Sequence, residues 1–283
     1  MADEFCFGTL AVGDRYRKHA KLLAQDIQKY APTQTLIVLT DRPQNFQEYS
    51  QVLAFPHQLQ SVKGYHDKRF VLEKALSLFE TCVLLDADVR IIGPVSTDLT
   101  WPPGITARAG CSLGKQLQDI RKPYEIEVIQ KAAQHLNLDV DNVQWLHEFM
   151  FAMSRQDGKE QEFFQLWQTI SYFFETQGIY YGEGYAMGFA AAKVGLDFGF
   201  DRSDWFPFFK DNIEQVRIKN GQSQRQEKQP YFDTHYQIEY PLRSVPQKVW
   251  AKLQKFIALY PRLWRLRKQK RQDIYYEKLF GKV

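Results

Sequence analysis

The 283-residue sequence predicts an α/β fold built on a mixed, mostly parallel sheet flanked by helices. Two observations predict it. Short apolar runs of strand length alternate with stretches whose apolar residues recur at helical spacing, in the order β-α-β-β-α-β. Carboxylates then fall at the carboxyl ends of those runs, where open parallel sheets gather their ligands. A third observation, a basic and aromatic segment near the end, adds a C-terminal helical extension.

Glu4–Leu10 (EFCFGTL) reads as the first strand. After Gly13 and Asp14, the residues Tyr16, Ala20, Leu23, Ala24 and Ile27 mark one face of a helix ending near Pro32. Thr35–Thr40 (TLIVLT) is a second buried strand, stopped by Asp41-Arg42-Pro43, and Gln51–Phe55 (QVLAF) a third. A helix from about Asp67 to Phe79 sets Val71, Ala75, Leu78 and Phe79 on one face and leads into Cys82-Val-Leu-Leu-Asp86-Ala-Asp88. Gly104–Ala109 follows as a strand, Tyr124–Leu136 as a helix and Glu148–Ser154 as a strand. Gln161–Thr176 is an amphipathic helix carrying Phe164, Trp167 and Phe174. Gly182-Glu183-Gly184 precedes a small-residue helix, Tyr185–Val194, ended by Gly195. Lys219–Gln229 is polar and aperiodic, and a mobile loop is expected there. No internal repeat is visible.

Composition narrows the class. Hydrophobic residues at 44% and charged residues at 25% match a globular chain long enough for a sizeable core. Aromatics at 15% suit a protein with stacking surfaces. Three scattered cysteines, Cys6, Cys82 and Cys111, give no disulfide or zinc framework, so a reducing, cytoplasmic setting is expected. Asp3 and Glu4 lead straight into a strand, which predicts no signal peptide, and no uncharged apolar stretch is long enough to span a bilayer. The net charge of +4 is unevenly spread. Residues 243–283 hold 12 Lys and Arg against two acidic residues, leaving 25 basic and 31 acidic residues in the rest.

The most informative residues are Asp86 and Asp88. Two positions apart on an extended chain, they point to one side. Two like charges at the end of a buried strand cost free energy unless a cation or proton compensates them. A divalent metal with something anionic beyond it is therefore the first expectation. Four apolar residues before the pair argue against a solvated acidic turn.

The segment Phe79-Glu-Thr-Cys-Val-Leu-Leu-Asp86-Ala-Asp88-Val89 and the later Glu183-Gly-Tyr-Ala-Met-Gly-Phe-Ala-Ala-Ala-Lys-Val-Gly-Leu196, in this order of strands and helices, resemble the GT-A nucleotide-sugar glycosyltransferases, closest to the glycogenin-like and galactosyltransferase-like groups. The resemblance covers roughly Glu4 to Leu196. It implies a GT-A-like, Rossmann-type catalytic domain over residues 1–242 and an enzyme moving a hexose-like sugar to a hydroxyl acceptor on a glycan, lipid-linked or protein molecule. It implies Mn²⁺ or Mg²⁺ with Asp88 as a direct ligand, Asp86 on metal or ribose, and His235 as third-ligand candidate. A nucleotide-diphosphate sugar, UDP-sugar favoured, would be the donor. Its binding residues would be Thr9, Leu10 and Ala11 after the first strand, Thr40 and Asp41 after the second, and Lys68 and Arg69 at a helix N-terminus suited to phosphates. Glu183 is the candidate acceptor-side carboxylate, with helix N-capping or dipole pairing as the alternative. Trp145 and His147 are candidates for the acceptor platform, or core residues.

Three other readings share these residues. A haloacid-dehalogenase-type phosphatase also ends a strand in DxD, but Arg90 and the three preceding strands depart from its pattern. A nucleotidyltransferase would need a richer loop than Gly8-Thr-Leu-Ala-Val-Gly13-Asp-Arg15. A non-catalytic sugar-nucleotide or glycan-binding module is indistinguishable in sequence. Residues 243–283 read as a basic amphipathic tail. Val249, Trp250, Leu253, Phe256, Ile257 and Tyr260 recur at helical spacing among Lys248, Lys252 and Lys255, and Pro261 interrupts. Through residues 246–283 the protein is expected to sit peripherally on the anionic inner face of a membrane, or to dock the helix on the domain. No motif predicts nucleic-acid binding.

Overall fold

The computed structural model describes residues 5–242 and 244–281, so Asp3, Glu4 and Arg243 lie outside the described residues, as do the side chains of Lys248, Val249, Lys252 and Lys255. The chain opens with strand β1 (Phe5–Ala11), helix α1 (Asp14–Tyr30), β2 (Leu36–Thr40), β3 (Val52–Pro56), α2 (Lys68–Leu76), β4 (Thr81–Leu85) and the two-residue β5 (Arg90–Ile91). It continues with β6 (Gly104–Ala107), β7 (Gly110–Ser112), α3 (Leu113–Asp119), α4 (Pro123–Leu136), β8 (Gln144–Leu146), β9 (Met150–Ser154), α5 (Lys159–Thr176) and α6 (Glu183–Val194). Next come β10 (Phe198–Phe200), β11 (Phe208–Phe209), α7 (Asp211–Lys219), α8 (Arg225–Glu239), α9 (Val245–Gln272) and α10 (Ile274–Phe280).

Seven strands form the central sheet in the spatial order β10-β6-β9-β4-β1-β2-β3. The first four strands in sequence are mutually parallel, and β9 alone runs antiparallel, inserted between β4 and β6. This is the mixed, mostly parallel α/β sheet expected from the sequence. The period-two alternation within each strand divides the core. Cys6, Ile37 and Cys82 face the side covered by α2, α4, α5 and α6, while Phe7, Val38 and Val83 face the side covered by α1.

Three expectations are corrected. Helix α2 ends at Leu76, before the expected Phe79, and Leu78 is exposed because the chain turns there to enter β4. Residues 225–229, expected in a mobile loop, form the start of α8. That helix is fixed from downstream, where Phe232 packs edge-on against Phe209 at 5.0 Å and Tyr231 stacks on the same ring at 5.4 Å. Pro261 lies inside α9 and does not interrupt it. The cost of a helical proline is offset by docking on both sides of it. Leu259, Leu263 and buried Leu266 pack on the core, while Arg262 donates to the Val62 carbonyl at 3.1 Å and Arg265 to that of Leu59 at 2.8 Å. Tyr276 of α10 is buried in the same core, so the C-terminal part of the expected tail completes the domain. No helix among the described residues is long and apolar enough to cross a membrane.

Helix α6 lies close against β8 because two glycines one turn apart face that strand. A Cβ at Gly188 would collide with the Gln144 carbonyl, and one at Gly184 with the Leu146 carbonyl and the Glu148 carboxylate. Gly188→Ala is expected to destabilise the fold by about 1–3 kcal/mol through overpacking. Urea denaturation measures this, and an unchanged midpoint would contradict the seating of α6.

Candidate active-site cleft

A cleft of about 600 Å³ opens where β1 and β4 end. Five charged side chains, supplied by four separate stretches of chain, cross its floor in alternating sign. Glu183, the first residue of α6, accepts from Lys68 at 2.8 Å, and Lys68 Nζ also reaches Asp86 Oδ1 at 2.7 Å. The other Asp86 oxygen accepts from Lys210 at 3.0 Å, and Lys210 donates as well to Asp88. The order across the floor is thus Glu183, Lys68, Asp86, Lys210, Asp88.

Local structure explains each position. Asp67 is buried, and its carboxylate accepts from the Gln60 amide at 2.6 Å, the Ser61 amide at 2.7 Å and His57 Nε2 at 2.7 Å. This wraps the preceding loop around the start of α2 and aims Lys68 into the cleft. Asp86 continues from β4, and its amide donates to the Phe149 carbonyl at 2.9 Å. Lys210 follows β11, whose antiparallel pairing with β5 folds the chain back over the aspartates. Glu148 stands beside Glu183, accepting from the Gly184 amide at 2.7 Å.

The electrostatics follow from this packing. Burial would raise the Asp86 carboxyl, but Lys210 and Lys68 overcome it and hold the group well below the ordinary carboxylate range. Burial opposes charge on both lysines, yet the adjacent carboxylates raise both. Glu148 behaves oppositely: burial and then the like charge of Glu183 push it up to about 8, so it is neutral at pH 7. Above it, Trp145 is buried against His147 (ring centroids 4.5 Å apart), and its indole N–H has no hydrogen-bond partner among the described residues.

Of the residues singled out in the sequence, Leu10, Lys68, Asp86, Asp88, Trp145, His147, Glu183 and His235 line this one cleft. Thr9, Ala11, Thr40, Asp41 and Arg69 are not among its lining residues. The Thr9 hydroxyl donates to the Leu85 carbonyl at 2.8 Å and that of Thr40 to the Ala11 carbonyl at 2.7 Å, tying the strand ends together. Asp41 accepts from the Gly13 amide at 3.0 Å and pairs with Arg17 at 2.5 Å. Arg69 points away, paired with Glu73 and donating to Gln168 at 2.7 Å. Sequence reasoning missed Lys210, Glu148 and the rim residues Arg15 and Glu239, which pair at 2.9 Å. A single lysine after two phenylalanines carries no signal until β11 is known to pair with β5.

A divalent cation fits this arrangement poorly. Asp86 and Asp88 already accept from ammonium groups, and the nearest carboxylate oxygen to His235 Nε2 belongs to Asp211, 4.0 Å away. Among the described residues no group of three or more His, Cys, Asp and Glu converges on a common point able to hold a metal.

The buried carboxyls make a pH prediction. Glu175, which accepts from the Val62 amide at 2.7 Å, is pushed by burial up to about 8, like Glu148. An unfolded glutamate titrates near ~4.3. The stabilisation from holding these protons is therefore complete below that value and lost as pH rises through the folded one. His66, lowered by burial to about 4, acts in the opposite sense below its ordinary range, so the comparison belongs above it. Thermal midpoints are expected to fall from roughly pH 6.5 to 8.5, and Glu175→Gln, which keeps an acceptor for Val62, to flatten that fall. An equal slope in parent and variant would contradict the assignment. Compared with known proteins, the chain matches no protein-family model and no curated protein.

Proposed function

We propose that this protein is a glycosyltransferase moving a sugar from a nucleotide-diphosphate sugar to a hydroxyl acceptor. The observation that carries the reading is the alternating row Glu183, Lys68, Asp86, Lys210, Asp88 at the carboxyl edge of the parallel strands. As the glycosidic bond of such a donor breaks, negative charge builds on the departing diphosphate. Ammonium groups already fixed by carboxylates stabilise that charge without reorganising during the reaction. Lys210 has three N–H donors and spends two on the aspartates, leaving one for a phosphate oxygen. Arg15 at the rim, held by Glu239 at 2.9 Å, is a further positioned N–H donor.

The opposite wall suits a sugar acceptor. Trp145, His147 and Tyr185 line this wall of the cleft as aromatic surface. Glu183 is the carboxylate placed to take the proton of the attacking hydroxyl, and neutral Glu148 beside it can donate a hydrogen bond. A phosphatase draws less support, because Asp86 ends the fourth strand of the chain where that pattern has the first, and Arg90 follows the pair where it has Thr or Val.

Calorimetry with UDP-, GDP- and CMP-sugars, in EDTA and in Mn²⁺, tests this. A UDP-sugar is expected to bind in EDTA and to lose at least about tenfold in affinity in Lys210→Gln, as for loss of one charged hydrogen bond. Failure of every donor under both conditions would overturn the glycosyltransferase reading. Binding only with Mn²⁺, unaffected by Lys210→Gln but abolished by Asp88→Ala, would overturn the lysine assignment in favour of a metal clamp.

A further inference from the structure

The first part of α9 carries a row of large apolar side chains that the domain leaves in solvent. Trp250, Leu253, Phe256, Ile257, Tyr260 and Trp264 are each between 44% and 72% exposed. At about 100° per residue they fall within roughly 120° of arc, a single stripe along the helix. The adjoining face is already used, since Leu259, Leu263 and Leu266 pack on the core. Exposed apolar surface of this extent on one helix marks an interaction site.

Charge identifies the partner. Residues 245–272 contain nine Lys and Arg and no Asp or Glu. A second copy of the same helix would bring a like charge against it, which opposes self-pairing. Four of the six stripe residues are aromatic, and Trp and Tyr favour the boundary between headgroups and acyl chains. From these observations we infer that α9 docks this protein on an anionic lipid bilayer, with the aromatic stripe in the headgroup region and Arg267, Lys268 and Arg271, exposed on or beside the stripe, among lipid phosphates.

The docking helix is tied to the cleft. Arg262 and Arg265 donate to the carbonyls of Val62 and Leu59, and the loop they hold supplies Leu59, Lys63, Gly64 and Tyr65 to the cleft wall. The lipid surface is thus one hydrogen-bonded step from the cleft. The inference does not depend on the reaction proposed there.

The test is flotation of the full chain with phosphatidylcholine vesicles, with and without phosphatidylglycerol. The chain is expected to float with the anionic vesicles and to bind neutral ones at least about tenfold more weakly. The pair Trp250→Glu and Trp264→Glu, at exposed positions, is expected to abolish flotation while circular dichroism and donor binding stay unchanged. Absence of flotation, or equal flotation on neutral vesicles, would overturn the inference. So would a dimer in sedimentation that the same pair dissolves, or flotation competed away by duplex oligonucleotide. Flotation without binding of any donor would leave this surface standing and remove only the glycosyltransferase reading.

Discussion

Everything at the cleft depends on how two aspartates survive at the end of a buried strand. Strand β4 is buried throughout, and Asp86 and Asp88 follow it directly. Carboxylates in that position require compensation, and the fold supplies it as two ammonium groups from remote parts of the chain. Lys68 comes from the start of α2, and Lys210 from a segment 124 positions beyond Asp86. Each lysine is itself too buried to stand alone and draws on the carboxylates in turn. Removing any one member strands a neighbouring charge, which costs more than the pair is worth when intact. The row therefore holds four segments of the chain in mutual register.

The supporting shell is built from backbone contacts. Asp67 gathers the amides of Gln60 and Ser61, so the residue after it points inward. The hydroxyls of Thr9 and Thr40 bind carbonyls of adjacent strand ends and keep β2, β1 and β4 level where the cleft begins. Arg90, next to the aspartates in sequence, turns away to pair with Asp26 at 2.5 Å and anchors α1 instead. Neighbouring residues in the chain thus divide between the site and its scaffold according to the face on which they emerge.

That division marks how much the sequence could reveal. Strand-length apolar runs and helical periodicities located the parallel half of the sheet, because those signals are local. The DxD pair, Lys68 and Glu183 were legible for the same reason: each ends or opens a regular element. Lys210 and Glu148 were not, since their importance arises from β11 pairing with β5 and from α6 meeting β8, contacts between distant segments. Thr9 and Arg69 show the converse limit. They lie at the right strand and helix ends, but alternation and helical twist aim them at the scaffold. The proline in α9 misled because its penalty is local, while the docking that offsets it is tertiary.

The close seating of α6 on β8 has one more consequence. Gly184 gives its amide to Glu148, while its neighbour Glu183 gives its carboxylate to Lys68. Two carboxyls, one held by a backbone amide and the other by a lysine, thus share a single helix start, and their spacing is set by main-chain geometry instead of by rotamer choice. Trp145, His147 and Tyr185 around them carry no such duty among the charged groups. Substitution at exposed His147 can accordingly reshape the wall, while Glu148 and Glu183 keep their spacing.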